Sequence, residues 1–242
     1  LSATTLGRRR RHGGSEGEES YFISMTDMMV GLVFVLIVML VYFAMQFHRT
    51  TVELTDTKTR RTELLHRLQA RLHAQNLDVS IDADAGVLRL PEAVLFAKGS
   101  AEVTPAGQAA LAKVGAALQA ELPCYTVPGP LPASCPATKT GLESVLIEGH
   151  SDSDPIASGR DNWNLSTDRA VNTYRSLIAS TPMLQTVKDA RAKPNDPQPV
   201  LGVSGYGPTR PLVAETSEAA KARNRRIDIR FLMATPDAAD HG

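Results

Sequence analysis

The order of apolar and polar positions divides the chain into stretches of different period. Residues 21–47 are apolar with little interruption, and from Met28 to Met45 the sequence reads MMVGLVFVLIVMLVYFAM without a charge. Such a run suffices for an α-helix that crosses the hydrocarbon core of a bilayer. A cleaved signal sequence would have a shorter apolar core followed by small residues. Here the run gives way instead to Gln46, Phe47, His48 and Arg49. Tyr21, Phe22, Tyr42 and Phe47 stand near its two ends, where aromatic rings favour the interface with water.

The polar stretch that follows, residues 49–75, carries Leu54, Leu65, Leu68 and Leu72. The 3-4 spacing of the last three suits a short two-stranded coiled coil. It suits equally an amphipathic helix packed on the next domain, and the pattern leaves both open. From Asn76 onward strand and helix signals alternate. Residues 87–90, 145–148, 200–204 and 227–231 read as strands. Thr104 and Pro105 open a helix that runs to Leu122, with Thr as cap and Pro in the first turn. Ser166 is expected to cap a second helix reaching about Ile178. Residues 123–141 and 193–199 are Pro-rich loops. The expected fold class is α+β: one membrane-spanning helix, then a mixed sheet with helices packed on it.

Charge adds topology. The 26 basic and 26 acidic residues cancel, so the average says nothing about partners. Their distribution says more. Arg8, Arg9, Arg10 and Arg11 precede the apolar run, which places the N-terminal side in the cytoplasm and the larger domain outside. Asp27 interrupts the start of the run. An acid there is either a helix cap or an ionisable group held in the membrane for a purpose. Cys124 and Cys135 are spaced wrongly for a zinc site or a CxxC redox pair. Outside the cytoplasm they would form a disulfide; in a reducing compartment they would be two thiols. No phosphate loop, metal cluster or nucleophile–base set is evident, so the chain does not read as an enzyme.

Three polar clusters exceed what a core requires. They are Gly149-His150-Ser151-Asp152 after a strand, the stretch from Asn162 to Ala170 at a helix start, and Asn224-Arg225-Arg226-Ile227-Asp228 leading into the last strand. With Gly205-Tyr206-Gly207 and the earlier Leu95-Phe96-Ala97-Lys98-Gly99-Ser100-Ala101, they resemble, in order, the motifs of OmpA-like peptidoglycan-binding domains. The resemblance covers residues 79–232. It implies a site for the diaminopimelate of the wall's stem peptide, with Asp152 taking the ammonium and Arg169 the carboxylate. A guanidinium suits a carboxylate geometrically. Arg169 is expected in the first turn of its helix, where free N–H groups also favour an anion. Asp161, Asn162 and Leu165 are expected to line the same groove.

An early Asp in a single span joined to such a domain resembles the B subunits of ion-driven stators, the MotB-like proteins. Tyr21-Phe22-Ile23-Ser24-Met25-Thr26-Asp27-Met28-Met29 matches the opening of their span. The resemblance implies that Asp27 carries a proton or sodium ion, with no other cofactor. It implies too that a ring of A subunits, MotA-like or ZorA-like, surrounds the helices of a homodimer, and that no nucleic acid is bound. The short connection to the wall domain and the Cys124–Cys135 loop most resemble ZorB subunits of Zorya anti-phage defence systems. The flagellar stator is the alternative, and a passive anchor would have no use for Asp27. The expected organisation is a basic tail at 1–20, a span at 21–47, a juxtamembrane helix or linker at 48–78, the wall domain at 79–233 and a flexible tail at 234–242, as a single-pass inner-membrane protein with a periplasmic domain.

Overall fold

The computed structural model describes residues 16–126, 135, 141–156, 161–189 and 198–234, with side chains from Met25 onward except that of Glu53. The arginine block, the tail beyond 234 and most of both Pro-rich loops lie outside the described residues, as do the side chains of Tyr21 and Phe22. Two compact units are distinguished, Leu1–Val52 and Glu53–Gly242.

Helix α1 spans Glu16–Ala74. In the first unit its apolar side chains stand open on every side: Met28, Leu32, Phe34, Leu36 and Leu40 are all about half exposed or more. A helix that is apolar all round is normally buried or in lipid. This one is uncovered, and by length and composition it can cross a membrane. Asp27 lies about three turns inside the helix, which rules out its being an N-cap.

In the second unit the final turns of α1 change character. Leu64, Leu65, Leu68 and Leu72 are fully buried and belong to the core of the domain. The leucine spacing therefore serves packing within the chain, and the coiled-coil reading is excluded for these residues. Arg71 pairs with the buried Glu121, and Gln69 donates to the Val79 carbonyl at 3.3 Å.

After α1 come β1 (Ser80–Asp82), β2 (Val87–Pro91), α2 (Glu92–Leu95), α3 (Pro105–Glu121), β3 (Leu142–His150), α4 (Asn162–Ser180), β4 (Leu201–Gly205), α5 (Glu218–Asn224) and β5 (Arg226–Met233). The sheet order is β1-β2-β5-β3-β4, with β3 and β4 parallel and the other neighbours antiparallel. This is the mixed sheet of an α+β domain. Thr104 caps α3 as expected, accepting the Gly107 N–H at 2.9 Å. On one face Leu88, Leu90, Val145, Ile147, Ile227, Ile229 and Phe231 join the buried faces of α3 and α4. Because side chains alternate along a strand, the other face receives Arg89, Glu148, His150, Arg226, Asp228 and Arg230. A disulfide joins Cys124 and Cys135.

The start of α4 departs from expectation. The helix begins at Asn162, and its cap is Asp161, whose Oδ1 accepts the Asn164 N–H at 2.7 Å. Ser166 is buried in the helix and does not cap it. Arg169 consequently lies in the third turn, beyond the free N–H groups, so the expected contribution of the helix terminus to anion binding falls away.

Candidate functional site

The site is assembled where β3 ends and α4 begins. A Cβ on Gly149 would lie 1.9 Å from the Ser166 carbonyl oxygen, so only glycine lets the helix settle on the strand. The Ser166 hydroxyl donates to the Trp163 carbonyl at 3.0 Å and accepts the Gly207 N–H at 2.9 Å. Gly207, with φ +51°, returns the chain so that its carbonyl accepts the Ser151 N–H at 3.0 Å. The Gly205-Tyr206-Gly207 turn is thus stitched to both the strand end and the helix start, one residue from Asp152.

Asp152 and Arg169 are both buried, and neither is bare. Arg225 Nη1 donates to Asp152 Oδ2 at 2.5 Å, and Arg225 Nε lies 2.6 Å from Glu92 Oε2. The other oxygen of Glu92 takes Arg169 Nη2. Arg169 Nε donates to the Ser100 carbonyl at 2.8 Å, and the guanidinium sits 5.5 Å from the centre of the Phe96 ring. A line of alternating charge results: Asp152, Arg225, Glu92, Arg169. Burial pulls the Arg169 pKa below its ordinary value, and Glu92 offsets this only in part. For Arg225 burial also opposes the charge, but hydrogen bonds to Asp152 and Glu218 and the nearby Glu92 outweigh it and raise the pKa. Arg169 Nη1 is buried without a hydrogen-bond partner. A buried donor left unpaired is costly, so it marks a place where an acceptor would be welcome.

The motifs divide the labour. The Leu95–Ala101 stretch supplies Phe96 under Arg169 and the Ser100 carbonyl beside it, while the Ala101 carbonyl accepts Asn172 Nδ2 at 2.8 Å. Asn162 Nδ2 donates to the Asp154 carbonyl at 2.9 Å, which fixes the turn after Asp152. Asp161 is exposed as the cap, whereas Leu165 is 7% exposed. Asn224, fully buried, accepts the N–H groups of Leu212 and Val213 at 2.8 and 3.1 Å and so holds the loop before α5. Glu92 and Arg225 were not foreseen as site residues. Arg225 stands in the Asn-Arg-Arg motif; Glu92 had one faint signal, an acid amid Leu90, Val94 and Leu95.

A second buried cluster lies on the opposite face of the sheet. Glu148, His150 and Asp228 offer ligand atoms within 4.8 Å of one another. Cations already serve the carboxylates there. Arg230 grips Glu148 with two bonds of 2.8 Å, and Arg226 Nε donates to Asp228 at 3.0 Å. His150 stacks on Tyr206 at 5.4 Å, and Arg210 covers the other ring at 3.7 Å. His150 Nε2 is 3.6 Å from Asp228 and 3.9 Å from Glu148, which would favour a proton. Burial and the fields of Arg226, Arg210, Arg230 and Arg89 prevail and push its pKa down to about 3. Both ring nitrogens of His150 and Oδ1 of Asp228 are buried without a hydrogen-bond partner.

No family model matches the chain. Over 91 residues it is 31% identical to motility protein B of Bacillus subtilis, and it spans only 30% of that protein's length against 37% of its own. Among solved structures it is similar to a MotB-like protein of Desulfovibrio vulgaris, with a TM-score of 0.52 and 20% identity over 77% of this chain and 98% of that one. The two share a fold. A likeness with a TM-score of 0.46 and 28% identity, over 72% of this chain and 97% of the other, relates it to the cell wall anchor of the T6SS from Pseudomonas aeruginosa. These relatives are named for motility and anchoring rather than for a reaction.

Proposed function

We propose that the chain is the wall-anchored B subunit of an ion-driven, stator-like complex of the inner membrane. The observation that carries this reading is the charge line that ends in the unpaired Nη1 of Arg169, with Asp152 at its other end. A ligand bearing both a carboxylate and an ammonium, such as the diaminopimelate of a stem peptide, matches the two ends. Its carboxylate supplies the acceptor that Arg169 lacks and competes with Glu92. Its ammonium competes with Arg225 for Asp152. Exchange of internal pairs for ligand pairs limits the desolvation cost of binding, because these groups are already out of water.

The membrane half rests on Asp27 inside an otherwise apolar helix. In this reading Asp27 takes up and releases a proton or sodium ion inside a ring of A subunits, two copies of the chain share that ring, and the domain lies in the periplasm. The leucines of α1 are committed to the core, so pairing of copies rests on other contacts. The short connection and the cysteine loop favour a ZorB-type subunit of a Zorya defence system. Similarity to motility protein B favours a flagellar stator as the second reading.

Sedimentation with purified sacculi tests the anchor. Asp152→Asn and Arg169→Gln, checked for a native circular dichroism spectrum, should stay in the supernatant while the wild type sediments; sedimentation of either folded variant at the wild-type level refutes the site. Asp27→Asn tests the motor. It keeps the shape of the side chain without its charge, so the complex should assemble and bind the wall yet lose activity. Phage plating and swimming, each assayed with the A subunit present, tell the two readings apart, and full activity of Asp27→Asn in both would refute the ion-driven role.

A further inference from the structure

We infer that Trp163 is a stacking shelf for a sugar ring, set beside the charged groups that take the peptide; this rests on the wall-binding reading and adds the glycan to it. Trp163 is the chain's sole tryptophan and is 48% exposed. A Cβ built on Gly207 would lie 3.2, 3.4 and 3.5 Å from its Cδ2, Cγ and Cε2 atoms. Such similar distances to three ring atoms place Gly207 against the face of the indole rather than its edge. Gly207 covers one face, and with about half of the residue exposed the ring offers the rest of its surface to a ligand.

Isolated exposed apolar side chains are common and need no explanation. Two features set this one apart. The first is that its backbone is pinned: the Trp163 carbonyl accepts the hydroxyls of Ser166 and Thr167 at 3.0 and 2.8 Å. The second is its place. Gly207 bonds through its carbonyl to Ser151, the residue before Asp152, so the shelf adjoins the carboxylate end of the charge line. Asp161 and Asn164, both exposed and bonded to each other at 2.8 Å, stand at the same helix start with polar atoms for a rim. A flat aromatic face with a polar rim matches a pyranose, which presents C–H bonds on its face and hydroxyl and acetamido groups at its edge. A peptide methyl group would cover little of an indole.

The test uses the full chain in detergent and two probes measured by calorimetry. One is a stem tetrapeptide containing diaminopimelate; the other is the same peptide attached to N-acetylmuramic acid. Wild type should bind the sugar-bearing probe more tightly. Trp163→Ala should weaken that probe about tenfold, to the level of the bare peptide, and leave the bare peptide unchanged. Trp163→Tyr, which keeps a ring, should recover part of the difference. Equal loss for both probes, or no loss for the sugar-bearing one, overturns the shelf. Asp152→Asn should weaken both probes; if it weakens neither, the wall-binding reading fails and the shelf falls with it.

Discussion

At His150 burial and charge act in the same direction. The ring is 1% exposed, and arginines surround it closely enough to hold its pKa near 3. In the unfolded chain the imidazole titrates near 6.5. Between those values the unfolded state binds the additional proton, so stability is complete above pH 6.5 and falls as pH drops toward 3. The slope should approach about 1.4 kcal/mol per pH unit. Urea midpoints followed by Trp163 fluorescence should show this for wild type and a flatter profile for His150→Gln; identical profiles would mean that His150 is not the titrating group. The other charged residues show how far a sequence carries a site. Asp152 and Arg169 were singled out in the sequence because each stands in an ordered motif, and the structure joins them in one line of charge. Glu92 was not, because its role comes from the tertiary approach of α2 to α4, and no local pattern records that. Arg225 was visible within a motif, but of its three carboxylate partners Asp152 and Glu92 are distant in the chain and only Glu218 is near.

Helix α1 shows the same limit at the level of elements. The 3-4 leucine spacing identified an apolar stripe but could not identify what covers it. Burial of Leu64, Leu65, Leu68 and Leu72 in one core answers that. Leu68→Ala should therefore cost about 2–5 kcal/mol of domain stability. The loss should not vary with protein concentration, as it would if the leucines formed a seam between copies; a loss that changes on dilution would restore the coiled coil. Strands β2, β3, β4 and β5 and helix α3 were legible because period and capping agree there. The start of α4 was not. Asp161, Asn162 and Ser166 are all good caps, and the pattern between them is disturbed by Trp163, which faces outward. Only the descent of the helix onto Gly149 determines which cap is used.

For the molecule as a whole the disulfide and the strand order matter most. Cys124 and Cys135 are 11 residues apart and close a loop directly after α3. In the chain-entropy view that closure contributes about 3 kcal/mol. Reduction should lower the urea midpoint by a corresponding amount, and membranes prepared without reductant should yield no free thiols by mass spectrometry; two free thiols would refute both the bond and an oxidising location. The strand order has a further consequence. β5 is the last strand among the described residues, yet it stands between β2 and β3, and it follows directly on Arg225, which links Asp152 to Glu92. A ribosome delivers that strand after everything it must join. Until then β2 has no link to β3, and the long-range pairings that complete the sheet cannot form. The domain must therefore wait, unfinished, through its own synthesis, and a chain cut short before β5 would have its long apolar helix but not the line of charge from Asp152 to Arg169.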